Sequence, residues 1–220
     1  ESDWSSDVCS SDLPAGEQFM AWVTRRAAGE PLAYLVGEAE FRGRVFQVSP
    51  AVLIPRPETE VLIDLALEKM RGLAAPKVVD LGTGSGIIAI SLALECPAAS
   101  LAALDLSPEA LAIAANNAGR LGARVELRCS DWFDELAGEQ FDLIVSNPPY
   151  VADGDPHLAH DGLPFEPQMA LSDGVAGGDG LACIRAIIGG AARHLLPDGW
   201  LLIEHGYNQS ADVRNLLWSA

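Results

Sequence analysis

After Pro76 the chain alternates between short apolar runs and longer segments patterned for helix, and few folds satisfy such an order. KVVDL (77–81) is a strand-length run, followed by a glycine-rich turn and the helical segment IIAISLALE (87–95). SLAALD (100–105) predicts a second strand. The helix PEALAIAANNAGRLG (108–122) follows, opened by Ser107-Pro108, a capping residue and a proline suited to a first helical turn. RVELRCS (124–130) and FDLIVS (141–146) predict strands three and four. A helix over LACIRAIIGGAARHLL (181–196) then leads through Pro197-Asp198-Gly199 into a fifth strand, WLLIEHG (200–206). Strands separated by helices pair in parallel, so the expected fold is α/β, a mostly parallel sheet with helices on both faces.

Upstream, Phe19, Trp22 and Val23 suit an amphipathic helix from Gly16 to about Ala28. EAEFRGRVFQV reads as a β-hairpin turning at Arg42-Gly43, and after VLIPRPETE a helix runs from near Glu58 to about Arg71. The segment DWSSDVCSSDL (3–13) resembles one reading frame of a short-read sequencing adapter, and the chain does not begin with methionine. Residues 1–13 are therefore expected to be a non-native leader and are set aside. The expected division is 14–37 helical, 38–57 hairpin and linker, and 58–220 the α/β domain.

Composition narrows the functional classes. Half the 220 residues are apolar, enough for one substantial core. Glu95, Asp105 and Gly189 interrupt the longest apolar stretches, so no membrane span is expected. The formal charge is −17, and removing Glu1, Asp3, Asp7 and Asp12 with the leader leaves −13. An acidic surface disfavours stable binding to nucleic acid, whose phosphates are held by Lys and Arg. Cys9, Cys96, Cys129 and Cys183 form no CxxC pair, which suits a reduced, cytoplasmic setting without a metal cluster.

The most chemical local signal is DLGTGSG (80–86), a turn joining strand to helix. Glycines allow the backbone to approach a ligand, and the helix N-terminus offers free N–H groups. A dinucleotide fingerprint has GxGxxG. Here Gly82, Gly84 and Gly86 alternate with Thr83 and Ser85, a GxGxG loop that suits a cofactor without pyrophosphate, S-adenosylmethionine. Asp105 ends the second strand, where an acid can accept from both ribose hydroxyls. Asp131 and Trp132 follow the third strand at the same sheet edge and can border an adenine; Trp132 equally suits a core aromatic.

SNPPY (146–150) ends the fourth strand and opens onto that edge. Asn147 offers a side-chain carbonyl, and Pro148 a backbone carbonyl without an N–H. Two acceptors converging on one planar NH2 group would aim its nitrogen at a sulfonium methyl, so that positioning supplies most of the rate. Tyr150 can pack over the amide plane and border the cationic methyl. His205 and Glu204, in IEHG, read as structural groups at a strand end, and His157 and His160 lack the partners of a metal site.

EPLAYLVGEAEFRG, VLIPRPETE, DLGTGSG, SNPPY, FEPQMAL and GDGL stand in the order found in bacterial release factor glutamine methyltransferases, and from about Glu30 onward the chain resembles this PrmC/HemK family. The resemblance implies a class I S-adenosylmethionine-dependent methyltransferase (Rossmann-like) with a seven-stranded sheet. It implies transfer of a methyl group to the side-chain amide of the glutamine in the GGQ motif of class-I peptide chain release factors. By position the GTGSG residues, Asp105 and Trp132 would bind the cofactor. Asn147 would touch both cofactor and substrate, with Pro148, Pro149 and Tyr150 completing the glutamine pocket and Arg56 and Glu60 shaping it. Two departures are expected: only a remnant, from Pro14, of the family's N-terminal helical docking domain, and no final β-hairpin beyond Ala220. The expected protein is a cytoplasmic monomer. Alternatives with the same chemistry are a glutamine methyltransferase for a ribosomal protein, or an amino-group methyltransferase for DNA or RNA.

Overall fold

The structure, a computed structural model, describes residues 13–160 and 162–220. All of the expected leader except Leu13 lies outside the described residues. Leu13 opens helix α1 (Leu13–Ala27), on which Phe19, Met20 and Val23 are exposed. After the short α2 (Leu32–Val36) comes the expected hairpin, β1 (Glu38–Phe41) and β2 (Arg44–Gln47), antiparallel with Phe41 opposite Arg44. Both turn residues take positive φ, 49° at Arg42 and 68° at Gly43, the backbone a two-residue hairpin needs to match strand twist. Arg42 offsets its strain through its guanidinium, which bonds Glu95 and Asp64.

The α/β domain follows the predicted alternation. Its elements are α3 (Thr59–Met70), β3 (Lys77–Leu81), α4 (Ile87–Glu95), β4 (Ser100–Asp105), α5 (Pro108–Leu121), β5 (Glu126–Cys129) and β6 (Phe141–Ser146), followed by a short α6 (Gln168–Leu171), α7 (Ala182–His194), β7 (Leu195–Ile203) and α8 (Ser210–Ser219). The Ser107 hydroxyl accepts from the Ala110 N–H at 3.1 Å and Pro108 sits in the first turn, so α5 starts where its sequence says.

Five strands in the order β5-β4-β3-β6-β7 form the sheet, every pair parallel. The seven strands that the resemblance implies reduce to these five among the described residues. Alternation along each strand feeds two cores. Val78, Leu143 and Val145 face α3 and α4, packing with Ile63, Ala66 and Ile90. Val79, Leu81, Leu104 and Ile144 face the opposite layer, where α7 supplies Ile187 and Ala191. Burying each large aliphatic side chain contributes roughly 1.5–3 kcal/mol before chain entropy is counted.

The junction of α7 with β7 and the chain beyond it differ most from expectation. Helix α7 stops at His194 because Leu195 already pairs with Phe141, and the pairing resumes at Trp200 opposite Leu143. The Pro197-Asp198-Gly199 turn is therefore a bulge inside β7, with Asp198 at φ 64°. Helix α8, unassigned from sequence, packs on α7 through Val213. Its other residues are mostly exposed, which leaves little apolar periodicity to read.

Candidate active site

The carboxyl ends of β3, β4 and β6 open on a cavity of about 630 Å³. Open α/β sheets bind ligands at this edge, where the strand order reverses direction. Here the reversal lies between β3 and its neighbours β4 and β6.

The glycine turn is stitched to β4, since the Gly82 and Thr83 N–H groups both donate to the Leu104 carbonyl at 2.9 Å. Gly84 N–H donates to Asp105 Oδ2 at 2.8 Å, and Asp105 Oδ1 accepts from Ser107 N–H at 2.9 Å. Burial pushes the Asp105 carboxyl up, against the backbone bonds from Ser107, Gly84 and Leu106. Gly82, Thr83, Gly84, Ser85 and Asp105 all line the cavity.

Gly86 does not line it. Its φ is 84°, and a Cβ there would lie 2.7 Å from Ile90 Cδ1 and 3.2 Å from Ala114 Cβ. The residue is glycine because the turn must enter α4 while α5 presses against it.

Beneath the turn lies Asp80, which the sequence offered only as the first letter of the motif. It is fully buried, accepts from the Thr83 hydroxyl at 2.7 Å and from Ala89 N–H at 3.3 Å, and leaves Oδ1 without a partner among the described residues. Burial pushes its carboxyl up to about 7, and the nearby charge of Asp105 adds to the effect. Asn117 of α5, also unforeseen, ties turn to hairpin. Its amide donates to the Ser85 and Gln47 carbonyls and accepts from Gln47 N–H.

Asp131 and Trp132 line the cavity, Asp131 exposed at its rim. Trp132 takes φ 44°, and its ring edge faces Gly82, where a Cβ would lie 3.6 Å away. The Ser130 hydroxyl holds this turn by donating to the Trp132 carbonyl at 3.2 Å and accepting from Glu135 N–H at 3.1 Å.

At the end of β6, Asn147 and Pro149 line the cavity, while Pro148 is buried. Asn147 Nδ2 donates to Thr59 Oγ1 at 3.1 Å, and Thr59 Oγ1 donates to Glu204 Oε2 at 2.9 Å. The Tyr150 hydroxyl turns away from the cavity lining and donates to Glu204 Oε1 at 3.3 Å. Burial raises the Glu204 carboxyl, opposed by the bonds from Thr59, Tyr150 and Asn147 and reinforced by Glu58. Burial, then the Glu204 charge, pushes the Tyr150 hydroxyl up to about 12. Among the described residues His205 bonds only its neighbour's carbonyl, Nδ1 to Gly206 O at 2.9 Å, as a structural imidazole does.

Arg56 lines the cavity wall and pairs with Glu166 at 2.5 Å, while Glu166 Oε2 accepts from Ile54 N–H at 3.0 Å. IPRP and FEP, 110 residues apart, are thus one clasp. Glu60, in the first turn of α3, is half-buried and does not line the cavity. GDGL is a buttress: Gly180 lies so close to the Tyr150 carbonyl that any Cβ would overlap it.

Residues 58–161 match the family model described as methyltransferase small domain. A release factor glutamine methyltransferase of Bordetella pertussis is 53% identical over 91% of this chain and 74% of its own length. One from Xylella fastidiosa is 50% identical over 95% of this chain and 77% of its own length. Among solved structures, a ribosomal protein L11 methylase of Lactobacillus delbrueckii shares the fold, with TM-score 0.53 and 22% identity over 74% of this chain and 69% of that one. With half its residues identical across nearly the whole chain, and the glycine turn and NPPY brought to one cavity, the chain belongs to the release factor glutamine methyltransferase family.

Proposed function

We propose that this chain transfers a methyl group from S-adenosylmethionine to the side-chain amide nitrogen of the glutamine in the GGQ motif of class-I peptide chain release factors. The observation that carries the reading is Asn147, which lines the same cavity as the glycine turn with its NH2 group engaged by Thr59. Its carbonyl is then the end left to accept from a substrate amide.

The donor set suits the cofactor. An ionised carboxylate has room for about four hydrogen bonds. Asp105 takes three from the backbone N–H groups of Ser107, Gly84 and Leu106, which leaves capacity for a ribose hydroxyl. Trp132 would border the adenine and Asp131 would accept from its amino group, while Gly82 to Ser85 would hold the methionine end and Gly86 keeps the turn seated on α4. When bound, the cofactor supplies an electrophilic methyl on a cationic sulfur.

The chain's part is placement. Asn147 Oδ1 and the Pro148 carbonyl hold the two amide protons, Pro149 walls the pocket, and the Tyr150 ring closes it while its hydroxyl is anchored on Glu204. Arg56 shapes the wall through Glu166, and Glu60 contributes from the first turn of α3. These residues need supply no strong base. As the N–C bond formed and the S–C bond broke, sulfur would leave as a neutral thioether and the cationic N-methyl amide, a strong acid, would lose its proton to water, so orientation lowers the barrier. The reading includes a cytoplasmic monomer, and the formal charge of −17 supports the absence of stable nucleic-acid contact.

Labelled S-adenosylmethionine incubated with the chain and, in parallel, release factor, ribosomal protein and DNA or RNA tests the assignment. Label on the release factor is expected. Label only on nucleic acid or only on ribosomal protein would overturn it.

A further inference from the structure

Asparagine presents two ends of nearly equal size and opposite hydrogen-bonding sense, so something must decide which end of Asn147 faces the cavity. The deciding group is the Glu204 carboxylate, which Asn147 meets through the Thr59 hydroxyl and, more weakly, by a direct bond of its own. Thr59, at the start of α3, is fully buried and touches both Asn147 at the end of β6 and Glu204 just past β7. These strands are neighbours, and Glu204 N–H donates to the Ser146 carbonyl at 3.0 Å, so the backbone itself sets Glu204 beside the NPPY turn. An ionised carboxylate has no proton to give, and a hydroxyl has one. With that proton committed to Glu204 Oε2 at 2.9 Å, Thr59 can only accept from Asn147. Only the NH2 end of Asn147 can supply that bond, at 3.1 Å. The Tyr150 hydroxyl donates to Glu204 Oε1 and fixes the carboxylate from its other side.

We propose that Glu204, acting through the Thr59 hydroxyl, is a positioning residue that sets the polarity of the Asn147 amide and so keeps its carbonyl toward the acceptor glutamine. The proposal rests on the functional reading above. A reversed Asn147 would oppose its own NH2 group to the NH2 group of the substrate, donor against donor. Thr59 and Glu204 act by removing the wrong orientation of Asn147, the residue that holds the reacting amide. Replacing Glu204 by glutamine provides a side chain that can donate to Thr59, which frees the hydroxyl proton to turn toward Asn147 and reverse the chain of bonds.

The test compares Thr59→Val, Thr59→Ser and Glu204→Gln with the unsubstituted chain. Methyl transfer to release factor is followed at saturating and limiting acceptor, and S-adenosylmethionine binding is measured by calorimetry. Valine keeps the shape of threonine and removes the relay. Its kcat is expected to fall by about tenfold or more, with cofactor affinity changed by less than about twofold, which also shows that the variant is folded. Serine retains the hydroxyl and is expected to recover most of the turnover that valine loses. Glu204→Gln is expected to lower kcat with cofactor affinity kept, and it carries the test if Thr59→Val does not fold. Turnover of Thr59→Val within about twofold of the unsubstituted chain, or equal losses in valine and serine, would overturn the proposal alone. No label with the unsubstituted chain, while the cofactor still binds, would overturn the functional reading and this inference with it.

Discussion

Replacing Gly86 with alanine sets a new methyl group 2.7 Å from Ile90 Cδ1 and 3.2 Å from Ala114 Cβ, on a backbone at φ 84°. The left-handed conformation costs a non-glycine residue about 1–2 kcal/mol. Forcing extra volume into a packed site typically costs about 1–3 kcal/mol more. Ile90 cannot swing aside, because it is 1% exposed and packed in the core between sheet and helices. Gly86→Ala should therefore destabilise the chain by about 2–5 kcal/mol. The clashing atom is the one that Ile90→Val deletes, and that substitution alone should cost about 0.5–1.5 kcal/mol. The double variant should be more stable than the sum of the singles by about 1 kcal/mol or more, because the steric part is relieved and the backbone strain remains. Urea denaturation of the four proteins measures this coupling. Additivity within about 0.5 kcal/mol, or a Gly86→Ala cost below about 1 kcal/mol, would refute the account of the turn.

Further expectations concern charge and the cavity wall. Asp80 keeps a proton in the folded state up to about 7, whereas an unfolded carboxyl releases it near 3.8. Its contribution to stability is full below the lower value and is lost as pH rises through the upper, by about 4 kcal/mol in all. Asp80→Asn should flatten the urea midpoint between those pH values, and a curve of unchanged slope would show that the group titrates normally. In the Arg56–Glu166 clasp the acid is 1% exposed and the base 31%. Arg56→Met, which strands the buried charge, should lower the melting temperature more than Glu166→Gln does, and the reverse order would contradict the burial argument. Trp132→Ala should weaken S-adenosylmethionine binding in calorimetry by about tenfold, the worth of an aromatic face against a purine; unchanged affinity would make Trp132 a packing residue only.

How far these features were legible in the sequence depended on whether the information was local. Helix α4 was readable to the residue because a glycine turn precedes Ile87 and Cys96-Pro97 follows Glu95. Strands β3, β4 and β6 were readable because each is largely buried and carries a run of apolar residues, Val78-Val79, Leu101 to Leu104 and Leu143 to Val145. The start of β7 was not, since the Pro-Asp-Gly turn that signals a loop is accommodated as a bulge, a choice made by pairing with β6. The cavity followed from knowing that the carboxyl ends of parallel strands share an edge. Thr59, Glu166 and Glu204 were missed as partners because nothing local marks them. Thr59 and Glu204 are 145 residues apart, and they meet only once α3 is laid across the ends of β6 and β7. Glu204 read as a structural acid at a strand end, and only its contacts with Thr59 and Tyr150 give it a further role. Asp80 was visible as a letter, but its burial depends on α4 and the turn closing over it.

The acceptor we propose is one glutamine amide, held by Asn147 and Pro148. Peptide mass spectrometry of release factor after incubation with the chain and S-adenosylmethionine addresses it most directly, with a factor carrying alanine in place of that glutamine run alongside. A single methyl group on the side chain of the GGQ glutamine, and none on the alanine protein, is the expected result. A methyl group on any other residue, or equal methylation of the two proteins, would contradict the account.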